Sequence, residues 1–372
     1  IGLMNPYIIC AIYVITERRM VKKQNPLRGR GASDNPVNRF EGNYIDYDLD
    51  EETGERPSPK TQLIRDAAKS VIAYNKSEDI GFNASINPYR GCEHGCIYCY
   101  ARPYHEYLGY SSGLDFESKI VVKYDAPELL KKELSSKKWK PQVIAMSGVT
   151  DIYQPVERKL KLTRGCLKVL AEFRNPVGLI TKNHLITRDI DLLCELNDHH
   201  CVSVTISVTT LDKDLTAVME PRTSRPNRRI DAIRKLADAG IQVGVNVAPI
   251  IPGLTDHECV NILEEAAGAG AMYAGYTIIR LPYKVKDLFV DWLEQHYPDR
   301  RKKVLRKILD IRDGKLNNSE WGTRMKGEGN FAKQISDLFT VHTKRLGLNE
   351  RSRNLTTEHF VRRSGSQLNF FE

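Results

Sequence analysis

Three cysteines stand close together in this sequence, at Cys92, Cys96 and Cys99, with glycines at 91 and 95 beside them. Their spacing is C-x3-C-x2-C. Three thiolates from one tight loop can each bind one iron of a cubane [4Fe–4S] cluster. No fourth cysteine is nearby, so the fourth iron would stay open to a ligand from outside the chain. We therefore predict a cluster site with one exchangeable position.

A zinc site is the alternative reading of the same cysteines. Zinc would need a fourth ligand, for which His94 and His105 are the neighbouring candidates, and C-x3-C-x2-C is not a usual spacing for structural zinc. The other five cysteines are scattered along the chain, at Cys10, Cys166, Cys194, Cys201 and Cys259. These are too few for a disulfide framework, so we predict metal binding in a reducing compartment and a cytoplasmic location.

The composition is that of a globular protein with a basic surface. The chain has 372 residues, of which 41% are hydrophobic and 28% charged, enough for a substantial core. No run of about 18 or more uncharged apolar residues occurs, so no membrane helix is expected. Lys and Arg total 56 against 47 Asp and Glu, a formal net charge of +9. This balance favours an anionic partner such as nucleic acid, with an ordinary basic protein as the alternative.

The amino terminus carries an apolar segment, 1–15, followed by a basic one at 17–23. A signal peptide has the opposite order, with its positive charges first. We expect Met20 to be the natural start and residues 1–19 to be an upstream segment, the alternative being a short native strand. Residues 20–75 are predicted to be an N-terminal arm, loosely structured as far as about residue 60, because they are rich in Pro, Gly, Asn and charge.

Short apolar runs then alternate with helical patterns. The predicted strands are 82–87, 142–147, 177–181, 201–208, 242–248 and 273–279. The predicted helices between and after them are 126–136, 160–173, 188–198, 228–239, 256–268 and 285–296. Apolar strands joined by helices indicate parallel strands buried on both faces. We predict an α/β fold, a partial (β/α)6 TIM-like barrel over residues 76–297; a doubly wound open sheet produces the same alternation.

The pattern changes at about residue 298. Residues 299–313 form a strongly basic amphipathic helix pattern, and another helix is predicted at 331–346. We therefore predict a helical basic extension at 298–348 and a flexible tail at 349–372. Basic residues of the extension and of the tail could contact phosphates. The basic residues of the tail are Arg351, Arg353, Arg362 and Arg363.

The cysteine motif resembles the signature of the radical S-adenosylmethionine (SAM) superfamily, with Tyr98 as its aromatic residue. The resemblance implies a [4Fe–4S] cluster on Cys92, Cys96 and Cys99, with SAM on the fourth iron. It further implies reductive cleavage of SAM to a 5′-deoxyadenosyl radical that abstracts hydrogen from a substrate. An electron donor such as flavodoxin or ferredoxin is then required. A non-catalytic sensor of SAM or iron–sulfur is the remaining, different class.

Further segments resemble the spore photoproduct lyase-like "DNA repair photolyase" group. They lie at 29–41, 87–109, 147–157, 179–189, 220–241 and 246–256. This resemblance implies DNA as substrate and lyase-like repair; the alternative is radical SAM modification of a protein, RNA or small molecule. One departure concerns hydrogen transfer, since spore photoproduct lyase is thought to use a cysteine donor. Here Cys166, Cys194 and Cys259 fall within predicted helices, and Cys201 opens a strand at the opposite end of the barrel.

Position at strand ends, together with the resemblance, suggests residues that hold SAM, because barrel sites lie at the carboxyl ends of strands. Ser147 and Gly148 correspond to the segment that binds the amino group of SAM. Val149 replaces the usual Glu there, and Thr150 and Asp151 are candidates to stand in for it.

Later strand ends supply the remaining SAM candidates. Lys182 resembles a lysine that pairs with the SAM carboxylate. Ser207 is a candidate for the ribose or the carboxylate, and Glu220 is a candidate for the ribose. Arg222 could contact a carboxylate. The turn that begins at Pro249 resembles the segment that packs against adenine, which Tyr98 would also contact.

Two further predictions concern a histidine and the carboxyl terminus. His94 either tunes the cluster by hydrogen bonding or faces solvent. Gln367 to Phe371 resembles the short peptide with which bacterial repair proteins dock on the replication sliding clamp. The alternative for this peptide is a terminus that folds back onto the domain.

Overall fold

The computed structural model describes residues 26–41, 58–351 and 355–363. The segment 1–19, Cys10, Arg353 and the peptide from Gln367 to Phe371 lie outside the described residues, and the expectations for them stay predictions. Within the described part, no helix is long and apolar enough to cross a membrane.

The described strands fall into two sheets. Their bounds are β1 (Gln62–Arg65), β2 (Ile72–Tyr74), β3 (Ala84–Ile86), β4 (Tyr89–Arg90), β5 (Lys119–Val122), β6 (Ile144–Met146), β7 (Val177–Thr181), β8 (Val202–Val208), β9 (Val243–Ile250) and β10 (Tyr273–Ile278). The larger sheet has the order β10-β9-β8-β7-β6-β3-β2. All neighbouring pairs from β10 to β3 are parallel, and β2 runs antiparallel to β3 at one edge.

The order of the parallel strands confirms the partial (β/α)6 barrel. Strands β3, β6, β7, β8, β9 and β10 lie side by side in chain order, without a reversal. A doubly wound sheet requires a reversal at its switch point, so that alternative is wrong. Every residue of β6 and β8 is buried, as expected for strands covered on both faces.

Each predicted helix is found within a few residues of its expected bounds, and two short helices, Leu114–Ser118 and Lys213–Met219, were not predicted. The described helices are α1 (Leu114–Ser118), α2 (Ala126–Ser135), α3 (Glu157–Leu160), α4 (Leu162–Phe173), α5 (Ile190–Asn197), α6 (Lys213–Met219), α7 (Pro226–Asp238), α8 (Cys259–Gly268), α9 (Val285–His296), α10 (Pro298–Asp310) and α11 (Gly329–Arg345). The helix predicted at 160–173 is interrupted at Lys161, whose left-handed φ of 55° separates α3 from α4.

The carboxyl-terminal helices share the core of the barrel. Val304, Ile308 and Phe339 belong to the same buried cluster as the strands. The Phe339 ring lies 4.7 Å from that of Tyr276 on β10, so α11 packs on the last strand of the barrel. The basic face of α10 stays outward, with Arg300, Lys302, Lys303 and Arg306 exposed.

The prediction of a flexible tail is wrong for residues 355–363. The backbone N–H of Val361 donates to Phe173 O at 2.9 Å, and the rings of Phe360 and Phe173 are 6.2 Å apart. Arg362 donates to the backbone carbonyls of Leu134 and Trp139 at 3.1 and 2.9 Å. These bonds hold the Arg362 guanidinium against the domain, and its predicted phosphate contact stays a prediction.

The arm is also more ordered than its composition predicts. Residues 26–41 contain no helix or strand, yet Arg30, Ala32, Asn35 and Asn38 are buried. The Asn38 amide donates to two backbone carbonyls of the segment after the cysteine loop, those of Glu106 and Tyr110. Such bonds to folded backbone offset the conformational entropy that a Gly- and Pro-rich segment loses.

Candidate active site

The cysteines lie on a loop at the carboxyl edge of the barrel, between β4 and a 3₁₀ helix at Arg102–Leu108. Gly91 and Gly95 give this loop its path, with φ angles of 81° and 67°. A Cβ on Gly91 would lie 2.9 Å from Lys119 O, and one on Gly95 2.8 Å from Glu117 Oε2. Only glycine fits both the angle and the close packing at these two positions.

The three thiols suit a metal cluster. Cys92, Cys96 and Cys99 form no disulfide; the first two are buried and the third is half-buried. Burial raises the pKa of all three thiols, and neighbouring cations oppose this rise: Lys182 lowers the pKa of Cys96, and Arg102 that of Cys99. Iron would supply the positive charge that buried thiolates need. The residues present therefore fit a [4Fe–4S] cluster.

The arrangement does not suit a single zinc ion. Across the described ranges, no three His, Cys, Asp or Glu side chains are gathered so that they could hold one metal ion. A cubane spreads its ligands over separate irons and needs no such convergence. His94, a candidate fourth ligand, is 2% exposed, and its ring contacts Asn183 Nδ2 at 3.1 Å and Asp151 Oδ2 at 3.5 Å. The suggestion that His94 faces solvent is therefore wrong.

The buried ion pair between Arg102 and Glu117 holds the backbone of the cysteine loop. Arg102 donates to the carbonyls of Gly95 and Cys96, at 3.2 and 3.0 Å, and to Glu117 Oε1 at 2.5 Å. Neither charged side chain is exposed to solvent. Glu117 also accepts the backbone N–H groups of Gly31 and Ala32, at 3.0 and 2.9 Å. One carboxylate thus joins the arm to the cluster loop.

Lys182 and Glu220 meet at the centre of a strand-end network. The Lys182 ammonium lies 3.2 Å from Glu220 Oε1 and donates to Thr209 Oγ1 and Ala248 O at 3.0 and 2.9 Å. Burial, followed by repulsion from Arg229, lowers the pKa of Lys182 to about 8. Because its side chain is partly exposed and charged below about pH 8, Lys182 can exchange one of these acceptors for an anionic ligand.

Glu220 is fully occupied within the protein. Its carboxylate pairs with Arg229 and accepts from the Tyr98 hydroxyl and, at 2.7 Å, from Thr209 Oγ1. Burial raises the pKa of Glu220, and Arg229 opposes the rise. Glu220 therefore anchors Tyr98 beside the cysteines, and its predicted contact with ribose stays a prediction.

The turn after β6 combines unusual backbone with internal hydrogen bonds. Ser147 and Gly148 have φ angles of 128° and 48°. Ser147 Oγ donates to Thr150 O at 3.1 Å, and Tyr100 donates to Gly148 O at 2.9 Å. Asp151 accepts from the Lys182 backbone N–H at 2.8 Å. This turn lies against the cysteine segment. The predicted contact of Ser147 and Gly148 with the amino group of SAM requires such a position.

The remaining candidates lie at the same edge with different partners. Ser207 is buried on β8, and its carbonyl accepts from Arg229 at 3.2 Å. Pro249 lies near the end of β9. Arg222 pairs with Glu93 at 3.0 Å, so it is tied to the cysteine loop. The structure brings all of these candidates to one edge, and their contacts with SAM stay predictions.

Sequence reasoning missed four residues of this edge: Arg102, Glu117, Thr209 and Arg229. Both arginines are fully buried. Nothing in their neighbourhood along the chain marks them, because each acts on a partner distant in sequence or on backbone carbonyls.

Comparisons with known proteins agree with this geometry. A family model of the radical SAM superfamily matches residues 86–266. An uncharacterised protein of Mycobacterium tuberculosis is 35% identical over 222 residues, 59% of this chain and 65% of that protein. An uncharacterised protein of Methanocaldococcus jannaschii is 33% identical over 241 residues, 64% of this chain and 85% of that protein.

Solved structures share the fold. Spore photoproduct lyase complexed with dinucleoside spore photoproduct superimposes with a TM-score of 0.52 at 18% identity, covering 77% of this chain and 80% of that chain. This likeness concerns the fold alone. The chain spans less than two thirds of the length of the mycobacterial relative, at 65%.

Proposed function

Because the chain belongs to the radical SAM superfamily, whose members use a [4Fe–4S] cluster and SAM, we propose that it cleaves SAM reductively at a cluster on Cys92, Cys96 and Cys99. A [4Fe–4S] cluster held by these cysteines would supply one electron for the cleavage of SAM into methionine and a 5′-deoxyadenosyl radical, which would abstract hydrogen from the substrate. The observation that carries this proposal is the loop of three free thiols, placed beside a lysine of lowered pKa at the carboxyl edge of the barrel.

The protein's own residues bind and shield the reactants. Lys182 would hold the SAM carboxylate, which would replace one of its present acceptors. Tyr98 is held by Glu220, and Cys92 and Cys96 are only 6% and 7% exposed, so the fold keeps most water away from these two thiols. The reducing electron would come from a donor of the flavodoxin or ferredoxin class.

Anaerobic reconstitution tests this function. Wild-type protein should take up about four irons per chain and form 5′-deoxyadenosine from SAM when dithionite is added. Replacing Cys92, Cys96 or Cys99 with Ala should abolish both. Cys194→Ala is the matched control because Cys194 is also a free, half-buried thiol, but it lies in α5. Full iron uptake by the three loop variants, or zinc bound in preference to iron, would overturn the proposal.

We further propose a nucleic acid, with DNA as the first candidate, as the substrate. Support comes from the net charge of +9, from the exposed cations of α10, and from the fold shared with a lyase solved with a dinucleoside. Incubation with DNA that carries deuterium on its sugars or thymine methyl groups tests this. Deuterium in 5′-deoxyadenosine or recovered SAM is expected; its absence with every labelled DNA would point to another substrate class.

The last step of the proposed reaction, hydrogen transfer to the substrate radical, does not require a cysteine donor of the kind suggested by the resemblance to spore photoproduct lyase. Cys166, Cys194 and Cys259 lie in α4, α5 and α8. Cys201 precedes β8 at its amino end, and its thiol contacts Arg174 O at 3.2 Å. Among the described residues, the thiols of the carboxyl-edge loop are the three assigned to the cluster. We therefore propose that the substrate radical receives its hydrogen from another source.

A further inference from the structure

A separate cleft opens beside the strand-end network, on the segments that follow β7 and α6. It has a volume of about 640 Å³. Four of its lining side chains are arginines, Arg158, Arg188, Arg222 and Arg228, and none of its lining residues is Asp or Glu. We call this the arginine cleft. A pocket of this size whose only charged lining side chains, apart from His184, are arginines favours an anionic ligand.

Two of the arginines are held by carboxylates behind the lining. Arg188 pairs with Glu157 and Asp189, at 2.8 and 2.7 Å. Arg222 pairs with Glu93 at 3.0 Å. These pairs fix the guanidinium planes, so that an anion would meet preorganised groups.

The other two arginines have N–H groups to spare. Arg158 is exposed and has no side-chain hydrogen bond or ion pair with any residue that the structure describes. Arg228 is 54% exposed, with one contact to the His184 ring at 3.1 Å and a loose pair with Asp231 at 3.6 Å. Asp231 is shared with Lys235, at 3.1 Å, and with His184 at 2.7 Å, which leaves little of its charge for Arg228.

The cleft adjoins the cysteine loop. Asn183, one of its lining residues, follows Lys182 in sequence and contacts the His94 ring. The Arg222 backbone N–H donates to His94 O at 3.2 Å. A ligand in the cleft would therefore lie next to the place where a substrate would meet SAM.

We infer that the arginine cleft binds phosphodiester groups of a nucleic-acid strand whose neighbouring nucleotide enters the barrel. This rests on the proposed nucleic-acid substrate. Arginine suits the task because its planar donors match two phosphate oxygens at once. Four such groups within one cleft offer more donors than one small anion needs, which favours a ligand with several phosphates, such as a strand.

Binding of a fluorescent single-stranded DNA 12-mer, measured by anisotropy against salt, tests the inference. The double variant Arg158→Gln/Arg228→Gln should bind roughly tenfold more weakly. Its salt slope should be smaller by about 0.7 for each phosphate that the variant no longer neutralises. A 12-mer with uncharged methylphosphonate linkages should bind wild type and variant alike. Titration with inorganic phosphate tests whether the cleft binds a free phosphate ion and not a phosphodiester strand.

The matched control removes two exposed cations from the opposite end of the barrel, Lys137→Gln/Lys138→Gln, which precede β6. It should retain the wild-type affinity. Equal losses in both double variants, unchanged binding in the arginine variant, or an effect confined to inorganic phosphate would each overturn the inference. Formation of 5′-deoxyadenosine by wild-type protein without DNA tests the proposed cleavage of SAM separately: if it forms while the arginine variant still binds DNA as wild type does, the cleft assignment falls and the cleavage of SAM stands.

Discussion

Lys182 combines partial exposure with a pKa far below that of an ordinary lysine. Its side chain is 15% exposed, and burial with repulsion from Arg229 brings the pKa to about 8. The ammonium is therefore present below that pH and lost above it. If Lys182 holds the SAM carboxylate, the affinity for SAM depends on this proton.

We expect SAM binding by the reconstituted protein to weaken as pH rises through about 8. If only the charged form binds, the dissociation constant increases about tenfold per pH unit above that point. Lys182→Met should bind weakly at every pH. Lys182→Arg, which keeps its charge, should lose the pH dependence. Equilibrium dialysis with labelled SAM measures this, and an unchanged pH profile in Lys182→Arg would contradict the assignment.

At the residue scale, sequence reasoning found the cysteines because their chemistry is local. The three ligands come from one short loop, so their spacing is visible in the sequence. Arg102 and Glu117 could not be found in this way. Their role depends on which backbone carbonyls and arm amides surround them, and the arm contact with Gly31 spans 86 positions. Only the folded chain brings these groups together.

The arm is the element whose packing differs most from expectation. At Gly31 its backbone runs directly against the cysteine loop: an added Cβ would lie 1.8 Å from Gly95 O and 3.3 Å from Ile97 N. Both neighbours are backbone atoms, which cannot move aside as a flexible side chain can. The arm and the loop must therefore shift apart if any side chain is placed at this position.

Gly31→Ala should destabilise the protein by about 1–3 kcal/mol or more, as overpacking does, and should speed the loss of iron from the reconstituted cluster. Gly81→Ala is the control, because a Cβ there meets nothing within 4 Å. Chemical denaturation and the rate of iron release to a chelator measure the two effects. Iron release at the wild-type rate from Gly31→Ala would show that the arm does not support the loop.

The elements predicted well are those with long periodic patterns. Helix α9 was predicted at its observed bounds, and the other predicted barrel helices and strands lie within a few residues of theirs, whereas the short helices α1 and α6 were missed. The small sheet of β1, β5 and β4 was missed because its strands have only two to four residues. Such short segments carry too little alternation to be recognised before their partners are known.

On the scale of the whole molecule, one hydrophobic core extends from the barrel into the carboxyl-terminal helices. The sequence predicted a separate extension at 298–348, because its charge pattern changes there. Charge describes the outer face of α10, however, and says nothing about the apolar residues beneath it. The packing of Phe339 on Tyr276 makes α11 part of the same unit.

Phe339→Ala should therefore destabilise the whole protein by about 3–5 kcal/mol, as loss of a buried aromatic ring does. Unfolding should remain one transition. Val341→Ala on the same helix is the control, since Val341 is 62% exposed and Phe339 only 7%. Calorimetry measures both. An early, separate melting step for Phe339→Ala would mean that the extension folds independently of the barrel.

The hydrogen bond that the Gly31 N–H donates to Glu117 also sets an order of events during synthesis. The arm leaves the ribosome 86 residues ahead of the carboxylate that receives it. At about 5–20 residues per second, this leaves the arm without its partner for on the order of 4–17 seconds. Arg102 also emerges before Glu117. If it were buried before Glu117 had been made, its charge would have no counter-charge. A nascent chain that took up iron before that interval ended would do so with a cysteine loop that the arm and Glu117 do not yet support.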